Sequence, residues 1–304
     1  SIGLVMINRL SGNLSDILSS VDLACYAAKD AGRNMVHTYH AEDVDIAMKY
    51  SQMQWLPRIK NALVNDEFAL AVQRIASIRP SQSPCAIYEF LLRWPQPDGS
   101  FISPELIIPS AERYDLMREL DRWIIDHALH AIPLLQKQLE HEHNQMYTIN
   151  LSGQSIGDAE LTGFILRMLT SSGVDAKLLC FEITETVAIS NFSIATDFIH
   201  QLRDKGCRFA LDDFGSGLSS FGYLKRLPLD FLKIDGMFVR DMLKDPIDLA
   251  MVRTIHDVAQ VLNLKTIAEW VEDEDVYLAL EKIGVDYAQG YYLEKPRLIS
   301  DIIA

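Results

Sequence analysis

From about residue 66 onward, short apolar runs alternate with amphipathic stretches, and this alternation restricts the possible folds more than any other feature. Strand-like runs stand at Phe68–Ile75, Ala86–Leu92, Tyr147–Leu151, Leu178–Ile183, Arg208–Asp212, Phe231–Ile234, Lys265–Ala268 and Tyr287–Leu293. They are short, apolar and bounded by turn formers, as buried strands are. Most of the gaps carry helical periodicity, as in Asp121–Gln138, Ile156–Leu169, Ile194–Lys205, Asp248–Leu262 and Val276–Ile283. Strands separated by helices pair in parallel, because a parallel neighbour is reached only by a long crossover. About eight such strands in about 235 residues is the size of a (β/α)₈ barrel. An open doubly wound sheet is the alternative, but no GxGxxG turn is present. The expected class is therefore α/β, a (β/α)₈ (TIM-like) barrel with a short N-terminal α/β piece and a helical linker.

The chain is long enough, at 304 residues and 49% hydrophobic, for one large domain plus one small one. A formal net charge of −14 argues against a nucleic-acid polymer as partner, since phosphate backbones attract basic surfaces. A small phosphate ester held through metal ions is compatible with it. Cys25, Cys85, Cys180 and Cys207 are scattered without metal-like spacing, as expected of reduced packing residues in a cytoplasmic protein. No apolar stretch approaches the roughly 18 residues of a membrane span. The chain begins at Ser1 without a methionine, as a piece of a longer protein with an upstream sensor or anchor would.

The N-terminal residues 1–40 read as the end of a separate α/β unit. Ile2–Ile7 is strand-like, a helical pattern runs from Leu14 to Lys29, Gly32 stops it, and Met35–Tyr39 forms a second strand. Residues 41–65 are helical and polar on one face, as expected of a linker into a domain spanning 66–304.

The chemistry gathers at the strand ends, where barrel sites lie. In Phe209-Ala210-Leu211-Asp212-Asp213-Phe214-Gly215-Ser216-Gly217 an apolar run ends in two adjacent carboxylates and a glycine turn. Such a pair needs water, a cation or a shared proton. Similar positions hold Glu89, Asn150, Glu182, Lys233, Asp235 and Glu269, with Gln289 inside the last strand-like run. Any one of them can be a core ion pair or a helix cap, but a structural protein has no reason to crowd so many carboxylates at one barrel end. Hard oxygen ligands without a His or Cys cluster favour Mg²⁺ or Mn²⁺ over zinc. This many carboxylates with an amide exceed the needs of one such ion and suit a close pair, the arrangement for phosphodiester hydrolysis. Lys233 either orients the attacking water and neutralises charge on the phosphoryl group, or pairs structurally with Asp213 or Asp235. His141-Glu142-His143 resembles a metal pair but falls in a polar loop and reads as solvated.

Several motifs occur together in order: Glu89-Phe90-Leu91-Leu92-Arg93-Trp94, Asn150-Leu151-Ser152, Glu182-Ile183-Thr184-Glu185, Asp212-Asp213-Phe214-Gly215-Ser216-Gly217, Lys233-Ile234-Asp235, Ala268-Glu269 and Gln289-Gly290-Tyr291. Over about residues 60–304 this set resembles EAL-domain cyclic-di-GMP phosphodiesterases. The stretch Val21–Asn34 resembles the last helix of GGDEF (diguanylate cyclase) domains, without their signature loop. The resemblance implies a modified (β/α)₈ barrel, usually dimeric, that linearises cyclic-di-GMP to 5′-pGpG with magnesium or manganese. It implies Glu89, Asn150, Glu182 and Asp212 as ligands of a first metal, with Asp212 bridging to a second and Asp213 beside it. It implies catalytic roles for Lys233, Glu269 and Glu89, with Lys233 or Glu269 handling the water. Arg93 matches a phosphate-gripping arginine, and Gln73, Leu91, Asp235, Glu272 and Gln289 match substrate contacts. Glu185 matches the glutamate that orders the loop after Asp213 and links dimerisation to metal binding.

Three positions depart from the family pattern: Phe90 for alanine, Arg74 for proline, and Trp270 for the glycine after Glu269. None removes a ligand, although a bulky ring at 270 could shift the Glu269 backbone. An inactive EAL-type receptor that only binds cyclic-di-GMP is the competing expectation. Such receptors typically lose the motif glutamate, the paired aspartates or the loop glutamate, all of which are present here.

Overall fold

Seven of the eight expected strands form within three residues of their sequence limits in the computed structural model. It describes residues 1–7, 13–30, 32–39, 55–79, 85–139, 144–215 and 222–303. The His141-Glu142-His143 motif and linker residues 41–54 lie outside the described residues. Two compact units divide the chain, Ser1–Asp66 with Ser103–Tyr114, and Glu67–Ile102 with Asp115–Ala304.

In the first unit β1 (Ile2–Leu4) pairs in parallel with β2 (Val36–Thr38), and α1 (Leu14–Asp30) is the crossover between them. Gly3 is required where α1 meets β1, because a Cβ there would stand 2.3 Å from the Cys25 amide nitrogen. Gly32, at φ +104°, follows the helix end as the sequence suggests. Helix α2 covers 55–64, and α3 (Pro104–Arg113) starts with Ser103 as its cap and proline in the first turn.

The second unit begins with β3 (Ala69–Ser77) and β4 (Ala86–Pro95), beside which lies the short β5 (Phe101–Ile102). Helix α4 (Met117–Gln138) leads to β6 (Gln145–Asn150), and α5 (Gly153–Ile156) and α6 (Leu161–Ser172) lead to β7 (Leu179–Thr184). Then come α7 (Glu185–Ser190), α8 (Phe192–Arg203), β8 (Arg208–Phe214) and β9 (Phe231–Ile234). The unit ends with α9 (Gly236–Arg240), α10 (Pro246–Val261), β10 (Lys265–Ala268), α11 (Glu274–Ile283), β11 (Tyr287–Ala288), β12 (Arg297–Leu298) and α12 (Ile299–Ile303).

Strands β4, β6, β7, β8, β9, β10 and β11 run parallel in that spatial order, and β3 closes the ring antiparallel to both β4 and β11. The reversal of β3 follows from connection length. Only eight residues separate Ser77 from Ala86, too few for the crossover that a parallel neighbour needs. The eighth expected strand, Tyr287–Leu293, shortens to Tyr287–Ala288, so Gln289 stands just past its strand. The chain turns there, with the amides of Leu293 and Glu294 both donating to the Gly290 carbonyl. A Cβ on Gly290 would lie 2.0 Å from the Val271 carbonyl oxygen, so no other residue fits the turn.

Period-two alternation organises the barrel interior. One buried apolar residue from each strand forms a floor: Ile75, Ile87, Met146, Cys180, Ala210, Phe231, Ile267 and Tyr287. Two residues further toward the mouth, in the same strand order, stand Gln73, Glu89, Thr148, Glu182, Asp212, Lys233, Glu269 and Gln289. The floor holds no charged group, and every member of the layer above it is polar. Phe90 points to the opposite face, 2% exposed and stacked on Tyr147 at 5.9 Å, where its bulk leaves the interior untouched.

Candidate active site

The polar layer is built around Lys233, which is 1% exposed. Its Nζ lies 2.6 Å from Glu182 Oε2, 2.8 Å from Glu269 Oε1, 3.1 Å from Asp212 Oδ1 and 3.6 Å from Glu89 Oε2. The structural pairing with Asp213 or Asp235 is not the arrangement found. Glu89 is fixed from both sides: Asn150 Nδ2 donates to Oε1 at 2.6 Å and Gln289 Nε2 to Oε2 at 2.6 Å. Gln289 also donates to Gln73 Oε1 at 3.1 Å, and Gln73 donates to the Glu294 carbonyl at 3.0 Å.

Asp213 joins the cluster through a break in β8. In a regular strand adjacent side chains face opposite ways, but the β8–β9 register slips between Leu211 and Phe214 and Asp213 takes φ +53°. As a result Asp212, Asp213 and Glu269 offer carboxylate oxygens within 4.8 Å of one another. Glu185, 1% exposed, accepts from the Gly215 amide at 3.0 Å and from the Tyr223 hydroxyl at 2.5 Å. It therefore holds the chain on both sides of residues 216–221. Gly215 sits at φ +101° with Phe238 Cε2 only 2.7 Å from where a Cβ would stand. Gly215→Ala is expected to cost about 2 kcal/mol, lowering the thermal midpoint by roughly 4–8 °C in a melting scan.

Four carboxylates surround one ammonium with Asp213 close by, and their proton affinities reflect the imbalance. Burial pushes Glu182 up from its ordinary value of 4.5 to about 8, with Glu89 and Asp212 adding repulsion that Lys233 only partly offsets. Burial and then Asp212 raise Glu269 well above the carboxylate range. Asp213 rises to about 6 through burial, with Asp212 and Asp235 reinforcing it. For Lys233, burial favours the neutral amine, but the four acids outweigh it and hold the ammonium well above its usual value. Between pH 4.5 and about 8 the folded chain keeps a Glu182 proton that the unfolded chain has released. Rising pH therefore favours unfolding across this window. Melting scans in chelator should show the midpoint falling from pH 5 to pH 8, and Mg²⁺ or Mn²⁺ should flatten the decline.

The donor set fits hard divalent cations. Glu182 Oε1, Thr148 Oγ1 and Gln289 Oε1 are buried in this layer with no hydrogen-bond partner among the described residues. Oxygens of this kind beside excess negative charge are what a cation satisfies.

Above the layer opens a cleft of about 290 Å³ lined by Gln73, Glu89, Leu91, Arg93, Glu269, Trp270, Glu272, Gln289, Gly290, Tyr291 and Pro296. The expected substrate residues Gln73, Leu91, Arg93, Glu272 and Gln289 thus share one wall system with two of the acids. Asp235 does not line it. Its side chain accepts from the Met237 amide at 2.8 Å and caps α9, touching the site only through the field it exerts on Asp213. Thr148, Tyr223, Trp270 and Tyr291 enter the site or its support without having been among the expected site residues. Thr148 was detectable from the alternation, two residues before Asn150, whereas Tyr223 has no local signal.

Residues 57–296 match the EAL domain family. The chain belongs to the EAL domain family. The cyclic di-GMP phosphodiesterase PdeB of Shewanella oneidensis is 38% identical over 285 residues, 94% of this chain and 33% of that protein. The bifunctional diguanylate cyclase/cyclic di-GMP phosphodiesterase MucR of Pseudomonas aeruginosa is 30% identical over 304 residues, 100% of this chain and 44% of its own length. The chain therefore spans less than half of these curated relatives. Among solved structures, the PaMucR phosphodiesterase in complex with c-di-GMP matches with a TM-score of 0.74 at 30% identity, covering 82% of this chain and 99% of that one. The closed barrel with its reversed first strand is thus an EAL barrel. No helix among the described residues is long and apolar enough to cross a membrane.

Proposed function

We propose that this EAL domain hydrolyses one phosphodiester bond of cyclic-di-GMP, using two Mg²⁺ or Mn²⁺ ions, and releases linear 5′-pGpG. The observation that carries this reading is the ring of strand-end acids around Lys233, opening into a cleft with Arg93 on its wall. The names of the relatives support the choice of substrate. In the reaction the water oxygen bonds to phosphorus and the P–O3′ bond breaks, leaving a 5′-phosphate and a free 3′-hydroxyl.

Glu89, Asn150, Glu182 and Asp212 would hold one divalent ion, and Asp212 with Asp213 would hold a second. When bound, such a pair polarises the phosphoryl group and supplies an activated water near neutral pH. Glu269, beside Lys233 at 2.8 Å and on the wall of the cleft, accepts the proton of the water in its carboxylate form. Lys233 keeps its charge among the acids and stabilises negative charge developing on the phosphoryl oxygens. Arg93, half-buried and partly desolvated, offers forked donors to a phosphate. Gln73, Leu91, Glu272 and Gln289 contact the dinucleotide, and Asp235 tunes Asp213 from behind.

The same likeness extends to organisation. On this reading residues 1–40 are the C-terminal remnant of a GGDEF domain, 41–65 a linker and 66–304 the phosphodiesterase, which works in the cytoplasm as a homodimer. The βαβ arrangement of β1, α1 and β2 and a match to a bifunctional relative over the whole of this chain support this order. The test is anion-exchange analysis of cyclic-di-GMP incubated with the protein and Mg²⁺ or Mn²⁺. Linear dinucleotide with metal and none in chelator is the expected result. Tight binding without cleavage would make the domain a receptor.

A further inference from the structure

Trp270 directly follows Glu269 and has φ +55°, a left-handed conformation that a bulky L-residue keeps only where its surroundings impose it. Its ring is braced by the chain beneath. A Cβ on Gly236 would stand 2.1 Å from Trp270 Cδ1, so only glycine admits the indole, and the Arg240 guanidinium carbon lies 4.5 Å from the ring centroid. Bracing of this kind ordinarily accompanies burial, yet Trp270 is 54% exposed and lines the cleft together with Arg93 and Tyr291. A rigid aromatic surface, held in a strained backbone and left open beside a phosphate-gripping arginine, has the form of a stacking platform.

We propose that Trp270 stacks on a nucleobase of the bound cyclic dinucleotide and gives the site part of its preference for purines. The inference rests on the reading of this cleft as the cyclic-di-GMP site. The geometry supplies both halves of a nucleotide, with Arg93 for the phosphate and the indole face for the base. A purine overlaps the indole more fully than a pyrimidine does, so the contribution of the ring depends on the base. Gly236 is a positioning residue here, since any side chain at that place would displace the platform.

The test measures KM and kcat for cyclic-di-GMP, with cyclic-di-UMP as competitor, in the parent, Trp270→Phe, Trp270→Ala and Trp270→Gly. Glycine adopts φ +55° without strain, so this variant separates loss of the ring from loss of the fold. Both ring-less variants should raise KM for cyclic-di-GMP about tenfold, within the range of one base–aromatic stack, with kcat changed less. Phenylalanine should retain most of the affinity, and the inhibition constant of cyclic-di-UMP should move less than KM does. Unchanged KM in the ring-less variants, or equal shifts for both dinucleotides, would overturn the inference and leave Trp270 as packing over Gly236. A parent that neither cleaves nor binds cyclic-di-GMP would overturn the functional reading itself, and the inference with it.

Discussion

Asp212→Ala is expected to lower kcat/KM for cyclic-di-GMP by about a hundred- to a thousandfold or more, on the scale of removing one group from a preorganised charge-stabilising site. Asp212, like Lys233, faces both halves of the cluster. One of its oxygens lies 3.1 Å from Lys233 and also accepts from the Asp213 amide at 2.9 Å. Its carboxylate also belongs to the triad with Asp213 and Glu269. Removing it takes away the carboxylate that the Glu89–Glu182 side shares with the Asp213–Glu269 side and leaves the apolar floor intact. Steady-state assays with manganese check the rate, and a melting midpoint within a few degrees of the parent or above it shows that the fold survives. Activity within tenfold of the parent would remove Asp212 from the chemistry.

The second large effect concerns the only cation in the layer. Lys233→Met preserves length and apolar volume but leaves four buried acids without their shared partner. Removing one side of a buried charge cluster costs about 3–5 kcal/mol, which corresponds to a fall of roughly 10 °C in thermal midpoint. The loss should be greatest in chelator near pH 8 and should shrink toward pH 5, as Glu182 and Glu269 take up protons. Added Mg²⁺ or Mn²⁺ should recover part of the stability but not the activity, because the phosphoryl oxygens still lack the ammonium. A midpoint that is independent of pH in the variant would contradict this picture of proton sharing.

Much of this architecture was legible in the sequence, and the rest was hidden for identifiable reasons. The strands β9 and β10 fall where the apolar runs place them, because each is short, buried and bounded by turn residues. The strand-end acids were visible because carboxylates are conspicuous at the end of an apolar run. Local pattern does not show how they meet: the Gln289–Glu89 hydrogen bond joins residues 200 apart in sequence. Closing β3 against both neighbours determines that contact, and the orientation of β3 is a matter of loop length rather than of hydrophobic period. Asp213 was expected beside Asp212, yet strict alternation would have turned it away, and only the register slip of β8 brings it in. Asp235 was expected on the substrate, and its position before α9 makes it the cap of that helix. Trp270 stood out as a departure from the family pattern. Its left-handed backbone accounts for the usual glycine, and Gly236 accounts for why a large ring is tolerated.

The most direct measurement of the central claim, that the polar layer of the barrel is a paired divalent-cation site, is calorimetric titration of the chelator-treated protein with Mn²⁺ at pH 7. It should be run in two buffers of different ionisation enthalpy. Two ions per chain should bind, with net release of protons, because Glu182 retains its proton up to about pH 8 until a cation displaces it. Glu89→Ala should lose that uptake. Absence of Mn²⁺ binding, or binding that releases no protons and survives Glu89→Ala, would contradict the account.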